Sequence, residues 1–129
     1  MRKSIGVLLA VALLLALAGT YGLASTGDRQ VRVLSQGDAW QVEFGQGEYA
    51  YQIEYLDGNM FVTVEAQFLA SNSEVVYAAT HTLVQDNRMS ALRVFQAERV
   101  ADGQKASGLR FHCDSGKARV SFGPAKSFR

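Results

Sequence analysis

The sequence has 129 residues, 48% of them hydrophobic, with 13 basic and 12 acidic side chains and a formal net charge of +1. That length suits one domain, and the near-neutral balance does not favour nucleic-acid binding. The single cysteine excludes an internal disulfide, so the fold must depend on packing and on backbone hydrogen bonds.

The N-terminus begins with Arg2 and Lys3, followed by an uncharged run over residues 5–24 that is rich in Leu, Ala and Val. A positive start, an apolar run and small residues at Gly22 and Ala24 are typical of a secretory signal peptide. The run is also long enough to span a bilayer as an uncleaved anchor. Residues 1–24 are therefore predicted to be a signal peptide or membrane anchor. In either case the remaining chain is expected to be exported, to the periplasm or outside the cell.

A single β-domain is predicted over residues 28–123, followed by a C-terminal tail over 124–129. The first strand is predicted at "QVRVLS". Three further segments, 39–44, 48–57 and 60–68, alternate apolar and polar residues with a period of two, which is typical of a strand with one buried face. The residues predicted to share the buried face are Trp40, Val42, Phe44, Tyr49, Tyr51, Ile53, Tyr55, Val62, Val64, Ala66 and Phe68.

Short turns between these segments predict hairpins. A two-residue turn at residues 58–59 would place Tyr55 opposite Val62, and a four-residue loop over 45–48 would place Phe44 opposite Tyr49. In that register every apolar residue meets another apolar residue, whereas a slip of one residue would turn each strand over. The three strands are therefore predicted to be neighbours in one antiparallel sheet.

Two segments in the second half of the chain are less clear. Residues 74–84 are rich in β-formers with apolar residues on both faces, which predicts a central strand or a strand covered on both sides. Residues 89–103 could form a strand or a helix. A strand is favoured because the apolar residues spread around a helical wheel instead of forming a stripe.

The stretch "GLRFHCDSGKARVSFG" contains the only cysteine between a histidine and an aspartate. A turn at residues 115–116 would form a hairpin that places Cys113 opposite Ala118. Adjacent strand residues point to opposite faces, so His112 and Asp114 would project away from the thiol. A nucleophilic cysteine needs its base within hydrogen-bond reach. Cys113 is therefore predicted to be a small core residue.

The predicted fold class is all-β, a small antiparallel sandwich or barrel built from consecutive hairpins, preceded by an N-terminal hydrophobic signal or anchor helix. Charge is unevenly distributed along this chain. Nine acidic and two basic residues lie between residues 28 and 86, and nine basic and three acidic residues lie between 88 and 129. Either the domain has an acidic and a basic face, or the two halves interleave and their charges pair across strands.

The predicted function is a non-catalytic exported β-module that binds a protein or cell-envelope partner, as an adaptor, inhibitor or assembly subunit. One alternative is a membrane-anchored accessory subunit of a larger envelope complex. Another is a small hydrolase or metal-binding protein that uses His81 or His112. No catalytic residue, metal site, cofactor or nucleic-acid partner is assigned. The candidate binding residues are the charged groups on the outward strand faces, Glu43, Glu54, Glu65, Arg110, His112, Lys117 and Arg119.

Overall fold

The computed structural model describes residues 21–23, 28–58 and 60–129. This part of the chain is all-β and contains no α-helix. The strands are β1 (Tyr21–Leu23), β2 (Gln30–Ser35), β3 (Ala39–Glu43), β4 (Glu48–Asp57), β5 (Phe61–Leu69), β6 (Val75–Val84), β7 (Arg93–Gln96), β8 (Gly108–Ser115) and β9 (Lys117–Pro124), followed by a 3-10 helix (Ala125–Phe128).

The hydrophobic helix predicted over residues 5–24 lies outside the described residues, apart from the three residues of β1. These three pair in parallel with β3. In the described part of the chain, no helix has both the length and the apolar character needed to cross a membrane.

The strands form two sheets that pack face to face around a shared core. The first sheet has the order β1-β3-β8-β5-β6, and the second has the order β2-β9-β4-β7. Every pairing except that of β1 with β3 is antiparallel. The chain reverses between β5 and β6, and β6 to β9 then pair back in reverse order with the strands before the reversal. The four pairs of this long hairpin are β5 with β6, β4 with β7, β3 with β8 and β2 with β9. Rolling such a hairpin into two sheets gives the strand order of a jelly roll.

The predicted division of residues between faces is confirmed. Along β3, β4, β5, β8 and β9, the residues that alternation assigned to the core are buried. Trp40, Tyr51 and Phe111 are among the largest side chains with no exposed surface. Aromatic rings fill much of the space between the sheets, as in the contact of Tyr51 with Phe111 at 5.2 Å between ring centroids.

The predicted hairpin partners, however, are wrong. Tyr55 lies opposite Ala118 and not Val62, and Cys113 lies opposite Val64 and not Ala118. Among the described strands, β5 and β6 alone are both consecutive and paired. The other turns carry the chain from one sheet to the other. Alternation dictates which face of a strand is buried. It does not dictate which strands are hydrogen-bonded neighbours, because inward apolar side chains can contact each other along one sheet or across the two sheets.

The crossing between β8 and β9 depends on Gly116. This glycine has a φ of 77°, a left-handed conformation that side chains rarely adopt. A Cβ atom there would lie 2.5 Å from Cγ2 of Val62 and 2.9 Å from the carbonyl oxygen of Asp57. The close approach of these segments is therefore possible only without a side chain at Gly116.

The predictions for the second half of the chain have different outcomes. The prediction that β6 is central or covered on both sides is wrong, because β6 is the edge strand of the first sheet and Leu83 is its only buried residue. Its outward positions, such as Thr80 and Thr82, are exposed. The preference for a strand within 89–103 is confirmed by β7, although it spans four residues only. Residues 124–129, predicted to be a tail, end β9 and form the 3-10 helix, in which Ala125 is buried.

Candidate functional site

A group of polar side chains lies between the two sheets where β6 and β7, the edge strands on one side of the molecule, come together. We call this region the β6–β7 seam. Its polar residues are Tyr51 on β4, Tyr77 and His81 on β6, and Arg93 on β7, which we call the seam cluster.

Strand alternation places all four side chains on inward faces. Tyr77 and His81 are four residues apart on β6, so they point the same way. Their strand-mates at Ala78 and Thr80 are exposed on the other face. Arg93 lies directly opposite Tyr51 in the β4–β7 pairing, so it shares the inward face of that buried tyrosine.

Tyr51 and His81 are joined by a hydrogen bond of 2.8 Å between the phenolic oxygen and Nε2 of the imidazole. Their rings meet edge to face, with centroids 5.4 Å apart. Burial raises the pKa of Tyr51 to about 12, against a smaller opposing effect of the Arg93 charge, so the phenol keeps its proton. Burial, and then the Arg93 charge, lowers the pKa of His81, which favours the neutral imidazole. We therefore assign Tyr51 as the donor and Nε2 as the acceptor, which leaves the ring hydrogen on Nδ1.

Arg93 is held by the second tyrosine of the seam cluster. Its guanidinium carbon lies 5.8 Å from the centroid of the Tyr77 ring, and one guanidinium nitrogen lies 3.5 Å from the Tyr77 hydroxyl oxygen. None of the ion pairs identified among the described residues, which include His112–Asp114, Arg119–Glu54 and Arg129–Glu48, involves Arg93. The seam cluster thus combines one cation with neutral hydrogen-bonding groups.

The seven predicted binding residues are divided between the two outer faces. Glu65 and His112 lie opposite each other on β5 and β8, and Arg110 is two residues from His112. With Glu43 on β3 they occupy the outer face of the first sheet. The structure therefore brings four of the seven together on one face: Glu43, Glu65, Arg110 and His112.

The other three residues lie on the second sheet. Glu54 and Arg119 form an ion pair with 2.6 Å between Oε1 and Nη1. Lys117 lies opposite Asp57 and Ser35 at the start of β9. There it borders an open depression of about 610 Å³ at one end of the molecule.

Strands from the acidic half of the chain (residues 28–86) and from the basic half (88–129) are interleaved in space. In the first sheet β8, from the basic half of the chain, lies between β3 and β5, and in the second sheet β9 lies between β2 and β4. Each sheet therefore carries both signs of charge. The arrangement corresponds to the interleaved alternative and not to one acidic face and one basic face.

The predicted core position of Cys113 is confirmed. The thiol is fully buried, and burial raises its pKa, so the reactive thiolate is disfavoured. His112 and Asp114 project from the opposite face of β8, where Nδ1 and Oδ1 are 2.5 Å apart. His81 and His112 also lie on opposite faces of the first sheet, so one metal ion cannot bind both. In the part of the chain that the structure describes, no three His, Cys, Asp or Glu side chains are grouped for metal binding.

Sequence reasoning missed Tyr77 and Arg93. It treated residues 74–84 as apolar on both faces and left the segment containing Arg93 open between strand and helix. The spacing of Tyr77 and His81 was a signal that one face of β6 is polar. Nothing in the sequence indicated that Arg93 would face them from another sheet.

No protein-family model matches the sequence, and no curated protein matches it. Among the solved structures that do match is the dTDP-4-dehydrorhamnose 3,5-epimerase from Elizabethkingia anophelis NUHP1, with a TM-score of 0.39 and 16% sequence identity. The match covers 74% of this chain and 47% of the epimerase chain, so this chain spans about half the length of that protein. A likeness at this level carries no conclusion about fold or function.

Proposed function

We propose that this protein is a non-catalytic exported β-module that binds a protein or cell-envelope partner through the outer face of the first sheet. The observation that supports this most is the grouping of Glu43, Glu65, Arg110 and His112 on that face. Export is proposed from the N-terminal sequence over residues 1–24.

The four residues form a compact patch. Arg110 lies between Gln41 on β3 and Gln67 on β5, and His112 lies between Ala39 and Glu65 in the next row of the same face. Neighbouring strands are roughly 5 Å apart. The patch therefore offers an arginine, an imidazole, carboxylates and amides within a small area.

Such a patch suits a polar partner. Arginine is enriched at protein interfaces, where its guanidinium forms several hydrogen bonds at once. Arg110 is exposed, and no ion pair to it occurs within the described residues, so its charge is available to a partner. Exposed charges of this kind act over a short range that salt reduces, so binding should depend on ionic strength.

The two alternatives differ in their support. A membrane-anchored accessory subunit would use the same patch and would differ only in keeping residues 5–24, which lie outside the described residues apart from the three residues of β1. Intact mass of the protein recovered from its native host distinguishes these two forms. A hydrolase or metal-binding protein built on both histidines has less support, because His81 and His112 face in opposite directions.

The test is capture of the partner from an envelope extract of the native host by wild-type protein and by two charge-reversed variants. Arg110→Glu changes the patch, and Arg99→Glu is the matched control, because Arg99 is exposed in the segment after β7, away from the patch. We expect Arg110→Glu to reduce the captured partner about tenfold or more, which corresponds to loss of a charge-assisted hydrogen bond. Arg99→Glu should capture as wild type does.

Salt gives the second arm of this experiment. Binding through the patch should weaken steadily as sodium chloride is raised towards molar concentration. Circular dichroism of both variants should match wild type, since neither side chain is buried. A partner that is retained equally by Arg110→Glu and in molar salt would contradict the proposal.

A further inference from the structure

The charge of Arg93 is unmatched within the seam cluster. Arg93 is half-buried between the sheets, and no carboxylate among the described residues pairs with it. Burial raises the pKa of Tyr51 and lowers that of His81, and the Arg93 charge acts downwards on both, so the guanidinium lies close enough to influence both rings. A cation removed from water is costly unless a counter-charge or acceptors accompany it.

The groups around Arg93 carry no negative charge. Arg93 donates to the Tyr77 hydroxyl oxygen at 3.5 Å, which leaves the hydroxyl hydrogen of Tyr77 available to an acceptor. His81 has its Nε2 occupied by Tyr51, and its Nδ1 forms no hydrogen bond with any described residue. Below them lie aromatic rings, with Phe68 in contact with both Tyr77 at 5.8 Å and Phe95 at 4.9 Å. This apolar floor strengthens electrostatic attraction at the seam.

We propose that the seam cluster binds the carboxylate group of a small organic acid, with Arg93 supplying the charge and Tyr77 and His81 supplying hydrogen bonds. A planar carboxylate accepts two parallel bonds from a guanidinium. One cation balances one negative charge. A dianionic phosphate would bring a second charge that no described cation in the cluster balances. This site lies on the inward faces of β6 and β7, separate from the outer patch of the first sheet, and does not depend on the function proposed for that patch.

The test uses the two histidines as reporters in one spectrum. The imidazole resonances of full-length protein are followed by NMR during titration with sodium acetate at constant ionic strength, with benzoate and inorganic phosphate as further probes. We expect a saturable change at His81 with both carboxylates, little change with phosphate, and no saturable change at His112, which lies on the outer face. A larger affinity for benzoate than for acetate would show that the aromatic floor contributes.

Variants assign the response to the cluster. Arg93→Gln should weaken acetate binding about tenfold or more, and Tyr77→Phe should weaken it several-fold, because each removes a donor. Arg99→Gln, a matched change outside the seam, should leave binding unchanged. If Arg93→Gln fails to fold, Arg93→Lys keeps the charge but loses the paired donors and should still weaken binding.

Binding should also be linked to the protonation of His81. An anion beside the imidazole favours the imidazolium form, so bound acetate should raise the pKa of His81, and affinity should increase as pH falls through that pKa. The charged and titratable groups that act on this ring are Tyr51, which donates to it, and Arg93, and Tyr77 lies four residues away on the same face of β6. The proposal is overturned if wild-type His81 shows no saturable change with either carboxylate, if both histidines respond alike, or if Arg93→Gln binds as tightly as wild type.

Discussion

The two seams of the molecule are closed in different ways. Opposite the β6–β7 seam, β2 is the edge strand of the second sheet, and β3 lies next to the short edge strand β1 in the first sheet. There the guanidinium carbon of Arg32 lies 5.7 Å from the Trp40 ring, and Leu34 is buried beside it. Both seams therefore place an arginine over an aromatic ring. Beneath Arg32 the contacts are apolar, with Trp40 stacked on Phe111 at 5.7 Å between centroids.

The β6–β7 seam has hydrogen-bonded polar groups where the β2–β3 seam has packed rings. A packed seam is stabilised by buried apolar area, which is available only when the seam is shut. Opening a polar seam costs less free energy, because water can replace the hydrogen bonds that are broken. We therefore expect the β2–β3 seam to contribute more to stability, and the β6–β7 seam to be the one that opens to the proposed carboxylate ligand. The following predictions test that difference, beginning with the largest effect.

Replacing Trp40 by alanine should give the largest decrease in the free energy of unfolding. The side chain is fully buried, and its removal leaves a cavity between β2 and β3. Substitutions of this kind lower the free energy of unfolding by about 3–5 kcal/mol, a large part of the total for a domain of this size. Urea denaturation followed by circular dichroism measures the change.

Trp40→Phe is the matched control for that prediction. Nε1 of Trp40 is buried and has no hydrogen-bond partner among the described residues, so phenylalanine keeps the aromatic stack and removes an unsatisfied donor. Its cost should be clearly smaller than that of Trp40→Ala. Equal losses for the two variants would show that packing of the ring does not explain the stability of this seam.

Tyr51→Phe should have a smaller effect. The change removes the hydroxyl that donates to His81, with little change in ring volume. Loss of one such hydrogen bond lowers the free energy of unfolding by about 1 kcal/mol. Tyr49→Phe is a matched control, because its hydroxyl makes only a long contact of 3.4 Å with the carbonyl oxygen of Gln46. Identical losses in the two variants would contradict a specific role of the Tyr51–His81 bond.

The smallest of these effects is a dependence of stability on pH. The pKa of His81 is lowered by burial and by Arg93, so the folded protein binds a proton less readily than the unfolded chain does. The contribution of His81 is fully present above its ordinary pKa of 6.5 and should be lost as pH falls through the lowered, folded-state pKa. His81→Gln should reduce the slope of unfolding free energy against pH below about 6.5. An unchanged slope in that variant would contradict this assignment.

The sequence predicted more about the faces of strands than about their neighbours. Period-two alternation assigned Tyr51, Val64 and Cys113 to the core correctly, because a side chain's face depends only on its position in its own strand. The hairpin pairings failed for the same strands. Short turns at residues 58–59 and 115–116 can close a hairpin or cross between sheets, and the apolar pattern is compatible with both.

The same distinction between the face of a strand and its neighbours applies to the candidate sites. The outward position of Glu65, Arg110 and His112 was predictable from alternation, although their meeting on one face required the order β3-β8-β5. The seam cluster was not predictable, since Tyr51, His81 and Arg93 come from three strands in two sheets.

By itself, the sequence determined that the described domain is all-β, that the apolar residues of its alternating strands face inward and that its lone thiol is part of the core. These properties follow from local geometry, in which each residue points opposite to the one before it. Only the tertiary structure decided which strands are neighbours and where Arg93 lies, because those choices depend on how two sheets cover each other. The packing of the two sheets is stabilised by contacts between residues that are far apart in the sequence, and no local pattern in the chain specifies those contacts.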